Sequence, residues 1–284
     1  MNTLRYVCAI WAILPPLGTT LAEPTAEELI EDLRDDDVRW NAIHASTLIL
    51  RMDAPPHREL YKALDSEDWQ QRQLACGLIW TIRTWRVRPE DKELLANFPI
   101  TGRLVDVSIE GLRNDELPRD ADGNYNSVFN ARNAFRGLPE VASEYREKFE
   151  AGLRSDDYQQ KLMCALILSH GGVAESADLV APILIPHLRH NDIPEDANLA
   201  AYGLYRLGPG VTPHLERAAR TADGQQSELI ALLLLNFADP PQDRRDLEKR
   251  KRLQRITKIN FDPTVQRKGP STAFLHAVSR SGLR

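Results

Sequence analysis

The sequence predicts an all-α fold: an α-solenoid of about six stacked antiparallel helix pairs, followed by a basic C-terminal extension. The first reason is a leucine-centred pattern that recurs at intervals typical of two short helices joined by turns. The second is that apolar residues follow the i, i+3, i+4 spacing of amphipathic helices. The alternating β-branched segments that indicate strands are absent from the sequence.

The recurring pattern starts from a leucine that we use as the marker of each pair. Four residues after the marker stands an Asp, then a large apolar residue, with a small residue at twelve and Leu or Ile at fifteen. The clear copies are marked by Leu33, Leu64 and Leu153, with aspartates Asp37, Asp68 and Asp157 and small residues Ala45, Cys76 and Ala165. Weaker copies start at Leu188 and Ala219, and the steps 33 to 64, 153 to 188 and 188 to 219 are 31, 35 and 31 residues.

Each part of the pattern has a physical role in a helix pair. The marker leucine ends a first helix such as AEELIEDL, with apolar residues on one side. The Asp lies in the following turn, where it can cap the second helix and complement its dipole. The small residue allows the helices to approach closely, and the final Leu or Ile faces the core.

Six pairs are predicted in this way, within a repeat domain of residues 23–238. They lie at residues 26–52, 56–83, 104–138, 139–171, 176–207 and 210–237. The third pair contains an enlarged loop at 114–125, and residues 84–103 form an irregular connection. Pro240 and Pro241 end the array. In the extension, 239–284, residues 243–258 are predicted to form a charged helix and the remainder to be extended or partly disordered.

The first 22 residues have the features of a secretory signal peptide. Arg5 precedes a short apolar segment at 6–14, and Ala22 ends a stretch with small residues at the positions required for cleavage. The alternative is a buried N-terminal helix. The signal predicts a secreted or periplasmic protein, and no later stretch approaches the length of a transmembrane helix. Cys76 and Cys164 remain after cleavage and are interpreted as two buried residues rather than a disulfide pair.

Charge is distributed unevenly along the chain. The whole chain has a formal net charge of -5, which argues against nucleic acid as a partner. Residues 239–284 contain 12 Lys and Arg against 5 Asp and Glu, a balance of +7. Their basic run, Lys249, Arg250, Lys251 and Arg252, is a candidate contact for an anionic surface. The alternative is that the extension folds back onto the acidic body of the protein.

The segments LRDDDVRWNAIHA, LDSEDWQQRQLACGLI and RLGPGVTPHLERA resemble HEAT repeats, which belong to the armadillo-like α-solenoids. The similarity is to the short bacterial, phycobilisome-lyase-like kind and extends over about residues 26–237. It implies a scaffold with a concave surface for partners. It also implies that the recurring Asp is a helix cap, and that a basic residue four positions later, Arg72 or Lys161, bridges to the neighbouring pair.

One cluster suggests a surface contact. Aromatic residues alternate with arginines at Trp80, Arg83, Trp85, Arg86 and Arg88. Trp and Arg are frequent anchors at interfaces, so the cluster is a candidate partner-binding site. The simpler interpretation is that Trp80 belongs to the core and that the stems of the arginines cover its edge.

Metal, cofactor and catalytic motifs are weak or missing in the sequence. His187 and His190 stand three residues apart, and residues 120–125 (DADGNY) have some resemblance to a calcium loop, but both lack a full ligand set. We therefore predict no metal, no cofactor and no catalytic residue. The recurring aspartates are interpreted as caps, because a catalytic pair would occur once rather than in every repeat.

The function predicted from the sequence is binding of a protein or peptide along the concave face of an extracytoplasmic HEAT-repeat scaffold. Two alternatives remain open. One is an enzyme, or an accessory of one, with a site in the irregular third pair at 104–138. The other is an envelope-surface binder that acts through the basic extension.

Overall fold

The computed structural model describes residues 24–34, 39–83, 92–113, 137–189 and 194–240, without the side chains of residues 39, 40, 43, 92–94 and 194–196. These residues are mainly helical and include no strand, which confirms the all-α prediction. The predicted signal peptide, most of the predicted second helix at 126–138 and residues 241–284 lie outside the described ranges.

Twelve α-helices are described. They are α1 (Ala26–Glu31), α2 (Arg39–Arg51), α3 (His57–Ala63), α4 (Trp69–Thr81), α5 (Lys92–Asn97), α6 (Gly102–Glu110), α7 (Arg146–Gly152), α8 (Tyr158–His170), α9 (Ala177–Leu184), α10 (Pro194–Leu207), α11 (Thr212–Ala219) and α12 (Gly224–Ala238). Short 3-10 segments lie at Leu138–Val141, Ala174–Ser176, Ile185–Leu188 and Gly208–Val211. The predicted irregular connection at 84–103 contains α5.

The marker residues lie where the pattern predicts. Leu33, Leu64, Leu153 and Leu188 are buried at the ends of first helices. Leu112 is also fully buried and follows the end of α6 in the same way, although Glu116 and not Asp stands four residues later. The prediction fails in the last described pair, where Ala219 is exposed.

The predicted caps form in two of the three places where the structure describes them. Asp68 accepts a hydrogen bond from the backbone N–H of Gln71, and Asp157 accepts one from Gln160, each at 2.7 Å. Each bond satisfies one of the N–H groups that a helix start leaves without an intrahelical acceptor. Asp223 stands at the same position before α12, but its side chain makes no capping bond.

A glutamine three residues after each of these aspartates joins its helix to a helix of the preceding predicted pair. Gln71 donates its side-chain amide to the carbonyl of Ile30 at 2.7 Å, and Gln160 donates to Ile109 at 2.8 Å. Gln226 donates to Ile185 at 3.0 Å. Each acceptor lies three residues before a buried leucine, in the last turn of a helix, where carbonyls lack the regular donor four residues on. Ile30 and Ile109 also accept the backbone N–H of Leu33 and Leu112 at 3.2 and 3.1 Å, so the glutamine amide is a further donor to these carbonyls. We call these three bonds the glutamine clasps.

The residue before the clasp glutamine adds a second bond in two pairs. Gln70 donates to the carbonyls of Leu33 and Arg34 at 3.2 and 3.0 Å, and Gln159 donates to that of Leu112 at 3.1 Å. Arg72 reaches the neighbouring helix α6 through an ion pair with Glu110 at 2.6 Å, as the HEAT resemblance implies. Polar side chains in the first turn of a second helix therefore link adjacent pairs.

Small residues permit the close contacts that the clasps require. A Cβ added to Gly152 of α7 would lie 2.4 Å from the Sγ atom of Cys164 in α8. A Cβ on Gly203 of α10 would lie 2.5 Å from the hydroxyl oxygen of Ser169 in α8. Both distances are too short for real contacts, so these glycines set the separation of the helices from α8.

The clasps make a direct prediction for the variant Gln71→Glu. This change keeps the shape of the side chain but puts a carboxylate oxygen, instead of a donor, against the buried carbonyl of Ile30. We expect the free energy of unfolding to fall by about 2 kcal/mol at neutral pH.

The measurement is urea unfolding followed by circular dichroism. Gln225→Glu is the matched control, because Gln225 is partly exposed in the first turn of α12 and a carboxylate is tolerated there. Its stability should change by less than about 0.5 kcal/mol. Equal losses in the two variants would show that the clasp has no special role.

Candidate binding groove

An open groove of about 540 Å³ lies between α6 and the turn that joins α7 to α8. Ile109 and Gln160 line it, so the Gln160 clasp forms part of its wall. Around them are charged side chains of both signs: Asp106, Arg113, Lys148, Arg154 and Asp156. An open groove suits an extended chain segment better than a small molecule, which is usually bound in an enclosed pocket.

The charges of the groove are arranged in cross-groove ion pairs. Lys148 Nζ lies 2.5 Å from Asp106 Oδ1, and Arg113 Nη2 lies 3.7 Å from Asp156 Oδ1. Asp156 is 92% exposed, and Lys148 and Asp106 are both partly exposed. Exposed pairs of this kind contribute little to stability, so a partner that carries both charge signs can replace them at small cost.

Contacts among α6, α7, α8 and the α7–α8 turn position this groove. Gly152 lets α7 approach Cys164 of α8, and Asp157 caps α8 at the point where the turn ends. Gln160 then fixes the start of α8 to the end of α6. The two walls of the groove are thus held at a set separation by buried contacts.

The HEAT resemblance implies a concave surface for partners, but the second helix α8 offers little accessible surface for one. Residues 162–169 of α8 are all buried, and its exposed or partly exposed side chains are Tyr158, Lys161 and His170. Tyr158 is half-exposed and its hydroxyl lies 2.6 Å from Nε2 of the buried His187. The accessible side chains of α8 thus lie in its first and last turns.

Trp80 belongs to the core, which corrects its assignment to a partner-binding surface. It is 1% exposed, and its indole N–H donates to the hydroxyl of Ser108 in α6 at 2.9 Å. Its ring packs so closely on Gly137 that an added Cβ there would lie 1.9 Å from it. The simpler interpretation of this residue from the sequence is the right one.

Arg83 is also engaged within the protein. It donates to the backbone carbonyl of Phe98, and its burial lowers the pKa of the guanidinium. Tyr61 donates to the neighbouring carbonyl of Pro99, and burial raises the pKa of Tyr61 to about 12. Arg83 and Tyr61 thus tie the segment after α5 to α4 and α3.

The other candidate contacts lie outside the described residues. They are Trp85, Arg86, Arg88, Lys249, Arg250, Lys251 and Arg252. His190 and the predicted loop at 114–125, with its faint calcium-loop motif, also lie outside. Within the described ranges, no group of three or more His, Cys, Asp or Glu side chains is arranged to hold a metal ion.

Cys76 and Cys164 are unbonded thiols in the core, as the sequence predicts. Burial raises the pKa of each thiol to about 12. Cys76 lies 3.2 Å from the hydroxyl of Ser108, on the helix of the next pair. Both thiols therefore pack as small apolar residues and are protected from reagents that require a thiolate.

The sequence interpretation missed the clasp glutamines, although a signal for them was present. A Gln stands seven residues after the markers Leu64, Leu153 and Ala219, always as the second residue of a Gln-Gln pair. Gln is an ordinary residue on exposed helix surfaces, and nothing in its local surroundings shows that it is buried. Its repetition at a fixed phase was the available clue.

Comparison with protein-family models gives no match, and comparison with curated proteins gives none either. In the part of the chain that the structure describes, no helix combines the length and apolar character needed to cross a membrane.

His170 makes the stability of this region sensitive to pH. Nε2 of His170 is buried, although part of the residue reaches the surface. Burial of the ring, together with repulsion from Arg206, lowers the pKa of His170 to about 4, from an ordinary value of 6.5. The unfolded chain therefore binds the proton more readily, and stability that is complete above pH 6.5 is lost as the pH falls toward 4. We expect a loss of about 1.5 kcal/mol between about pH 6.5 and pH 5.

The check is the free energy of unfolding across this pH range for the wild type and for His170→Gln. The variant should lose most of the slope, whereas His44→Gln, which changes an exposed histidine, should keep it. An unchanged slope in His170→Gln would mean that another group is responsible.

Proposed function

We propose that the chain is an extracytoplasmic HEAT-repeat scaffold that binds a protein or peptide. The observation that carries this proposal is the use of buried polar side chains to join helices. The clasp glutamines, Ser108 and His187 all make hydrogen bonds within the protein. Polar side chains that a partner could reach then lie on the open surface of the described residues, and the groove beside α6 is one such place.

The solenoid arrangement is part of the proposal and rests on how the helices contact one another. Helices of one pair contact each other, as α3 contacts α4 and α7 contacts α8. Second helices contact those of the next pair, as α8 contacts α10 and α10 contacts α12. Stacking of this kind buries the apolar side of each pair against its neighbours and leaves elongated surfaces for a partner.

The partner that best fits the groove is an extended polypeptide segment with charges of both signs. Such a segment can exchange its own carboxylates and cations with the Lys148–Asp106 and Arg113–Asp156 pairs. Pairs at the rim of an interface mainly set orientation and association rate, so buried contacts of the partner with Ile109 and Ala151 would supply affinity. The extracytoplasmic location follows from the predicted signal peptide.

A second candidate function is an enzyme, or an accessory of one, with a site at the third pair. One observation favours the enzyme: Arg113 lines the groove, and the predicted loop at 114–125 follows Arg113 directly in the chain. The two functions differ in their forecasts, because only the enzyme requires turnover of a small molecule by the purified chain. Surface binding through the basic extension, the third alternative, requires affinity that falls steeply with added salt.

Charge reversal in the groove tests the proposed function. In the double variant Lys148→Glu/Arg154→Glu, the groove becomes acidic and Lys148 no longer pairs with Asp106. A protein recovered repeatedly by residues 23–284 from an extracytoplasmic fraction is identified, and its dissociation constant is measured by calorimetry. We expect the variant to weaken binding about tenfold or more, equivalent to about 1.4 kcal/mol.

The control is Arg217→Glu/Arg220→Glu, which makes the same change in net charge at two exposed positions near the end of the array. It should bind as the wild type does. Equal weakening in the two variants would indicate a non-specific charge effect, and unchanged binding in both would remove the groove from the proposal.

A further inference from the structure

We define the outer face of α12 by Glu228, Ala231 and Leu235. In the earlier second helices, the residues at the same positions after the marker are buried. The three residues of α12 stand nine, twelve and sixteen positions after Ala219, and all three are exposed, Leu235 by 44%. The corresponding residues of the four other described second helices that have a marker are all buried: Ala42, Ala45, Ile49, Gln73, Cys76, Trp80, Leu162, Ala165, Ser169, Ala197, Ala200 and Leu204.

Helix α4 shows which element covers the residues at these positions in an earlier pair. Gln73 donates to the carbonyl of Val107 at 3.0 Å, Cys76 lies 3.2 Å from Ser108, and Trp80 donates to Ser108. All three contacts are to α6, the first helix of the following pair. The same three positions of α12 thus form a surface built to receive a further helix.

A second feature near this face is a buried acceptor without a donor. Asn236 is 1% exposed and donates its side-chain amide to the carbonyl of Leu232 at 2.7 Å. Its Oδ1 atom is buried and has no hydrogen-bond partner in the described part of the chain. A buried acceptor without a partner is costly, so a donor is expected close to the end of α12.

We propose that residues 243–258 of this chain occupy the outer face of α12 and close the array. The segment follows α12 after only a few residues, and as a helix its 16 residues would span about 24 Å, close to the length of α12. It contains Leu247, Leu253 and Ile256, and 8 Lys and Arg against 3 Asp and Glu. Its basic side chains complement Glu228 and supply donors for Asn236.

A second copy of the protein fits this face less well. A two-fold contact between copies is self-complementary, so it would bring the same exposed carboxylate, Glu228, to both sides of a small apolar surface. Repeat arrays generally require a terminal element with a polar outer side, and a charged helix with a few apolar residues meets that need. The basic run would then have a structural role within the chain.

Thiol accessibility tests the proposal in the full chain with Cys8 changed to Ser. The probe is Leu235→Cys, labelled with a maleimide, because Cys76 and Cys164 are buried. Leu179→Cys is the matched control, since Leu179 of α9 is 43% exposed in the same structure. We expect Cys at 235 to react about tenfold more slowly than Cys at 179.

The added double change Leu253→Asp/Ile256→Asp should restore fast labelling at position 235 and leave position 179 unaffected. Helix content measured by circular dichroism identifies any variant that has unfolded. Equal rates at the two positions in the otherwise unchanged chain would overturn the proposal. Slow labelling at 235 that persists in the double variant and coincides with a dimer mass by light scattering would overturn it in favour of a second copy.

Discussion

The hydrogen bonds from buried glutamines to helix-end carbonyls are the constraint on which the rest of this structure depends. The end of a helix leaves carbonyl groups that need donors, and the start of a helix leaves N–H groups that need acceptors. One short segment, Asp68 to Gln71, serves both needs: the carboxylate caps its own helix and the amide reaches α1 of the preceding pair. Asp157 and Gln160 repeat the arrangement between α8 and α6.

This constraint also explains why close packing at particular glycines is required. The amide of Gln160 reaches Ile109 only if α6, α7 and α8 lie close together, and Gly152 provides the space against Cys164. These contacts also fix the walls of the groove beside α6, because Ile109 and Gln160 line it. The surface proposed to bind a partner is therefore held by the same bonds that join the pairs.

Much of the fold could be predicted from the sequence because its determinants are local. A marker leucine, an Asp four residues later and a small residue at twelve are enough to place α4 and α8 and to identify Asp68 and Asp157 as caps. The sequence left two interpretations of Trp80 and Arg83 open, because their partners Ser108 and Phe98 lie 28 and 15 residues away in sequence. The groove, likewise, joins side chains as distant as Asp106 and Asp156, which no single stretch of sequence reveals.

Hydrogen–deuterium exchange with peptide resolution, applied to Gln160→Glu, tests most directly whether the clasps couple one pair to the next. The account predicts faster exchange in α6 as well as in α7 and α8, because the bond to Ile109 is lost, while α11 and α12 keep their protection. Faster exchange confined to the first turn of α8, with α6 unchanged, would contradict it and reduce the clasp to a local detail of one helix.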